Sequence, residues 1–85
     1  MGEEKVGEVV KFFAKPGVAA IKVTGNELKV GDRVRFKGHT TDFEDVITSI
    51  QIDNQPVDKA HSGQLIWIKV KDRVRETDAV FLVIG

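Results

Sequence analysis

Apolar and polar residues alternate along this chain with a period of two, and Gly, Pro, Asn and Asp separate the alternating runs, which predicts an all-β protein. A first strand is expected from about Lys5 to Ala14, with residues 1–4 as a flexible lead. Pro16-Gly17 then reverses the chain, because proline presets φ and glycine accepts a positive φ. The second strand, about Val18 to Thr24, sets Ala19, Ile21 and Val23 on one face and Val18, Ala20, Lys22 and Thr24 on the other. Gly25-Asn26 ends it. Leu28 and Val30 are expected to close the floor of the fold before Gly31-Asp32 turns the chain into a third strand, where Val34 and Phe36 alternate with Arg33, Arg35 and Lys37. A polar loop over His39 to Asp42 leads to a fourth strand with Val46, Thr48, Ile50 and Ile52 on a shared face. Asn54 and Pro56 end that strand, since proline cannot donate to a central ladder. Val57 to Gly63 is too short for a lasting helix and reads as a single turn. The fifth strand, Leu65 to Lys71, buries Ile66, Ile68 and Val70, and the sixth, Ala79 to Ile84, is apolar nearly throughout. Six strands at this spacing predict a small closed barrel, because closure removes exposed edges.

Eighty-five residues suffice for one domain, 1–85, with a single core. The chain has no Cys, which excludes a disulfide framework, a Cys-ligated zinc site and a thiol nucleophile, and points to a reducing, cytoplasmic setting. Met1 to Lys5 is polar and charged, unlike a signal segment, and no run approaches the roughly 20 apolar residues of a membrane span. Thirteen Lys and Arg balance thirteen Asp and Glu, so any attraction to nucleic acid must come from local clustering rather than net charge. Charged residues make up 31% of the chain while Asn and Gln together number five, a balance associated with proteins of hot environments.

Few residues suggest catalysis or metal binding. No GxxxxGK[ST] string is present to cradle phosphates, and the glycines at Gly25, Gly31, Gly38 and Gly63 are accounted for by turns. His39 and His61 belong to no nucleophile or metal pattern. Ser62 precedes a glycine but lacks the GxSxG elbow. Asp42, Glu44 and Asp45 surround Phe43 without the oxygen-donor spacing of a calcium loop. The expectation is therefore a chain that is not an enzyme, with no cofactor, metal or nucleotide and no membrane partner.

The order and spacing of several segments carry a resemblance. Gly25 through the run LKVGD, SIQ at Ser49 to Gln51, Val57 with AHSG at Ala60 to Gly63, and KVK followed by Asp78-Ala79-Val80 resemble the second domain of translational GTPases such as elongation factor Tu and initiation factor two. The resemblance spans nearly the whole chain and implies a β-barrel of the translation-protein type standing without its GTPase domain. In elongation factor Tu such a barrel contacts the aminoacyl end of transfer RNA. The matching stretch is Gly63-Gln64-Leu65-Ile66-Trp67, with Gln64 in place of an acid and Trp67 where the family often has a small residue. Similar barrels also accompany collagenase-like peptidase relatives, and more distantly form a subunit of the pseudouridylating ribonucleoprotein.

The remaining signal is basic. Lys69, Lys71, Arg73 and Arg75 recur at every second position, so a persisting strand would project them from one face together with Trp67. Arg33, Arg35 and Lys37 form a second ladder. Such ladders can track phosphates while a Trp ring stacks on an unpaired base. The plainer reading is a solvated outer face, neutralised by Asp72, Glu76 and Asp78, with lysine stems covering Trp67. Phe12 and Phe13 fall on opposite faces of the first strand, which leaves one of them outside the core. The expected function is a binding module for RNA or a ribonucleoprotein. The alternative is a protein-interaction module docking on a separate enzyme or GTPase chain.

Overall fold

The computed structural model of the protein describes residues 2–84, all of them in strands and their connections. Met1 and Gly85, the ends of the expected 1–85 domain, lie outside the described residues. The strands are β1 (Gly2–Phe13), β2 (Val18–Val23), β3 (Glu27–Lys29), β4 (Arg33–Lys37), β5 (Asp42–Val46), β6 (Ile50–Ile52), β7 (Gln55–Val57), β8 (Lys59–His61), β9 (Leu65–Lys69) and β10 (Ala79–Ile84). Eight of them form one antiparallel sheet in the order β5-β4-β10-β1-β2-β9-β6-β7, and β3 and β8 form a separate two-stranded ribbon. No helix among the described residues is long and apolar enough to cross a membrane.

Expectations for β2, β4 and β10 match these bounds to within a residue, because each is a clean alternation or apolar run between turn residues. The expected closed six-stranded barrel does not. Among the described residues β5 pairs only with β4 and β7 only with β6, so the ladder has two free ends and no hydrogen-bonded closure. Pro56 sits on the terminal strand β7, opposite Gln51, where a missing N–H leaves no central ladder bond unmade. The segment expected to be a single turn after Val57 instead supplies β8, which pairs with β3 through Leu28 and Ala60. Three-residue strands are too short to display a period, and their existence depends on the distant partner.

The fourth expected strand is split. Ile47 leaves the sheet, its N–H donating to the Asp32 carbonyl and its carbonyl accepting from Gly31 N–H, at 2.9 and 2.7 Å. Its side chain is buried while Val46 is 41% exposed. A one-residue break exchanges the two faces of a strand, so Val46 and Thr48 face outward where the unbroken alternation put them inside. The β6–β7 hairpin is tight: Asp53 and Asn54, at φ 52° and 64°, are the two central residues between the paired Ile52 and Gln55, as a type I′ turn requires.

The core unites both parts of the fold. Val34, Phe36, Ile50, Ile66 and Ile68 are buried with Ile21, Val23, Leu28 and Val80, whereas Ile52 and Val70 pack against this cluster only partly buried. Leu28 closes the floor as expected, but Val30 is 42% exposed. Two irregularities in β1 shift its register, between Lys5 and Gly7 against β10 and between Val9 and Lys11 against β2. The second decides the fate of the Phe pair. An extra residue at Val10 reverses the parity of everything after it, sending Phe12 against the core and Phe13 to the outer face.

Candidate binding face

The basic ladders do not form one surface. Arg33, Arg35 and Lys37 project from β4, and Trp67 and Lys69 from β9, with β10, β1 and β2 between them in the sheet. Strand β9 ends at Lys69, so Lys71, Arg73 and Arg75 lie in the irregular connection to β10 rather than on a continued alternation. That connection runs back over the end of the core, where Val74 is buried. Lys71 N–H donates to the Asp45 carboxylate at 3.0 Å. The backbone N–H of Arg75 donates to buried Asp78 at 2.8 Å. Lys71 shares a hollow of about 330 Å³ with Arg33, Glu44 and Asp45, and Arg73 and Arg75 line another of about 310 Å³ with Thr40, Thr41 and Asp42.

Arg35 is enclosed by acids. Its Nε donates to Glu3, and its two terminal nitrogens donate to Asp42 and Glu44, each at 2.7 Å. Hydrogen bonds to Asp42 and Glu3 raise its pKa further above an already high value. A guanidinium held by three carboxylates presents no net positive charge to a phosphate. Lys5 donates to Glu8 at 2.9 Å, and that bond, reinforced by the lysine charge, lowers the Glu8 pKa below its ordinary value. Gln64 is also engaged internally, its Oε1 accepting from His61 N–H at 2.7 Å. Gly63, at φ +91°, turns β8 into β9. Among the described residues no three His, Asp or Glu gather as a metal site.

What the sheet does bring together is aromatic. Lys11, Ala20, Trp67 and Gln51 lie side by side across β1, β2, β9 and β6, and the neighbouring row is Phe13, Val18 and Lys69. The Phe13 and Trp67 rings meet with centroids 5.4 Å apart and planes tilted by 33°, an offset arrangement that the ring quadrupoles favour. Lys11 Nζ stands 5.5 Å from the Phe13 centroid, within cation–π range. Alanine at position 20 leaves room for the rings, and beside Trp67 it is only 2% exposed although it points away from the core. A shallow groove of about 90 Å³ runs beside Trp67, lined by Val18, Ser49, Gln51 and Lys69. Leu65, two residues along the same face, is 45% exposed. Trp67 was visible from the sequence; its pairing with Phe13 depends on the Val10 irregularity, which no local pattern announces.

No protein-family model matches the chain. It is 38% identical over 80 residues to an uncharacterized protease of Methanocaldococcus jannaschii, covering 93% of this chain and 19% of that protein. It is 36% identical over 77 residues to a collagenase of Porphyromonas gingivalis, covering 89% of this chain and 21% of the collagenase. The chain thus spans about a fifth of the length of the curated relatives it matches. Its fold superposes with a TM-score of 0.89 on the C-terminal domain of a Geobacillus thermoleovorans protein assigned to the U32 peptidases, at 26% identity over 95% of this chain and 93% of that one. It also superposes on the GDP-bound translation factor aIF5B of Aeropyrum pernix with a TM-score of 0.68, at 15% identity and 14% of that chain, a likeness of fold alone.

These relationships correct three expectations. The resemblance to translation factors holds for the fold and does not carry function, so the RNA-binding, translation-related module is overturned by relatives named for proteolysis. The GTPase half of its alternative falls with it, whereas a separate protein partner stays compatible with a chain that spans about a fifth of its relatives. The expectation that the chain is not an enzyme is likewise overturned, because the same relatives point to a peptidase family. The physical reason for the misreading is that turn and strand chemistry specify a scaffold shared by unrelated activities.

Proposed function

We propose that this chain, folded as one β-domain over 1–85, works in proteolysis as the C-terminal type of domain found in U32 peptidases. Its sheet curls around one core in the manner of a barrel, as in the second domain of translation factors, and here serves to hold polypeptide beside a peptidase centre. The observation that carries this reading is the match of nearly the whole chain to nearly the whole of a U32 peptidase C-terminal domain, at a TM-score of 0.89. The outer aromatic face supports it, since aromatic residues are enriched where proteins bind one another, and the half-buried Phe13 and Trp67 lie there beside a polar rim. The experiment is a domain exchange in the Porphyromonas gingivalis collagenase, with this chain replacing the aligned segment. Cleavage of denatured collagen is expected to persist in the exchange and to fall when an unrelated β-domain of similar size takes the same place. Equal loss in both exchanges would overturn the reading.

A further inference from the structure

Zero net charge conceals an uneven distribution of available charge. Eight of the thirteen carboxylates are engaged within the fold by cations or backbone: Glu3, Asp42 and Glu44 by Arg35, Glu8 by Lys5, and Asp32, Asp45, Asp72 and Asp78 by backbone N–H groups. Cations are not. Among the described residues only Lys5, Arg33 and Arg35 come within 4.0 Å of a carboxylate. Lys11 and Lys69, which flank the Phe13–Trp67 pair, are therefore free to meet charge from outside. Lys22, farther along the face, stands opposite Glu8 in the register without an ion pair to it, so it adds positive charge to the same face.

We propose that the Phe13–Trp67 face binds an extended acidic peptide segment of a polypeptide brought for cleavage, with apolar side chains on the rings and carboxylates on Lys11 and Lys69. The proposal deepens the peptidase reading and rests on it. In an extended segment alternate side chains point the same way, so one set meets the rings and the groove beside Trp67. The Gln51 amide, level with Trp67 in the register, offers donors and an acceptor to the peptide backbone. Charge complementarity selects the acidic segment over a basic one, since like charges placed face to face oppose binding.

Trp67 is the single Trp and the chain has no Tyr, so its fluorescence reports this face alone. The experiment titrates the chain with a short synthetic peptide alternating Glu and Val, and with the same peptide carrying Gln for Glu. The acidic peptide is expected to shift Trp67 emission saturably and to bind at least about tenfold more tightly than its neutral counterpart, with the difference shrinking in high salt as the Debye length falls. Lys11→Glu with Lys69→Glu should abolish the preference for the acidic peptide, and Phe13→Ala should weaken both peptides while leaving the reporter in place. Equal binding of the two peptides, or an emission that neither changes, overturns the proposal. A concentration-dependent emission change together with dimers in sedimentation also overturns it, by assigning the face to a second copy of the chain. A chain that sustains cleavage in the collagenase exchange yet ignores the acidic peptide leaves the peptidase reading standing and removes this one.

Discussion

Replacing Gly38 with Ala should be among the most damaging small substitutions in this protein, although Gly38 is exposed and its φ is outside the range that demands glycine. A Cβ there would lie 1.9 Å from Asp78 Oδ1 and 2.6 Å from Asp78 Cγ. Asp78 cannot easily yield. It is 4% exposed, its carboxylate accepts from Arg75 N–H at 2.8 Å, and its own carbonyl accepts from Val9 N–H at 2.8 Å. Displacing the carboxylate breaks a hydrogen bond to a charged group, which is worth roughly 1.5–3 kcal/mol. Moving the surrounding backbone instead costs about 1–3 kcal/mol, as overpacking generally does. Either route, at roughly 1–3 kcal/mol, takes a sizeable part of the ~4–13 kcal/mol expected for a domain of this size. Gly31 provides the contrast. Its φ is +98° but nothing lies within 4 Å of an added Cβ, so Gly31→Ala should show only backbone strain of about 1–2 kcal/mol. Urea unfolding of Gly38→Ala, Asp78→Ala and the double variant measures the argument. Without the Asp78 carboxylate the nearest atom of residue 78 is its Cβ, at 3.4 Å. On the Asp78→Ala background, Gly38→Ala should then cost less than about 1 kcal/mol. Additive losses, or a Gly38→Ala variant within about 1 kcal/mol of the parent, would refute the reasoning.

Two further outcomes are expected. Ile68, 2% exposed and placed in register between Ala19 and Ile50, should lose about 2–5 kcal/mol on change to Ala through lost burial and cavity formation; a loss under about 1 kcal/mol by chemical denaturation would contradict its central place. The Glu8 carboxyl, held below its ordinary pKa by Lys5, stabilises the fold above its unfolded pKa, and that contribution disappears as pH falls through the lower folded value. An NMR titration should find its midpoint below that of an ordinary glutamate and find it restored in Lys5→Met, whereas an unchanged midpoint in that variant would exclude Lys5 as the cause.

The alternating runs were sufficient to determine β2, β4 and β10, because a period of two with turn residues at each end leaves one face to bury and one register to bury it in. They also placed Val34, Phe36, Ile66 and Ile68 in the core and Gly31 and Gly63 at turns of positive φ. The turn requirement at those glycines is conformational, since neither has a neighbour that a Cβ would strike. Beyond that, local pattern and tertiary structure part. The β3–β8 ribbon exists because two short segments far apart in sequence find each other, and Ile47 displaces Val46 from the core because its backbone bonds to Gly31 and Asp32. The ladder imagined from Lys69 to Arg75 ends where β9 ends, and Arg35 is neutralised by Glu3, Asp42 and Glu44, acids that only the folded sheet assembles. The Phe13–Trp67 face arises from one inserted residue at Val10 and a small residue at position 20. Sequence periodicity constrains each strand by its own two faces, whereas partners, charge pairing and an outer aromatic cluster are properties of strands set side by side.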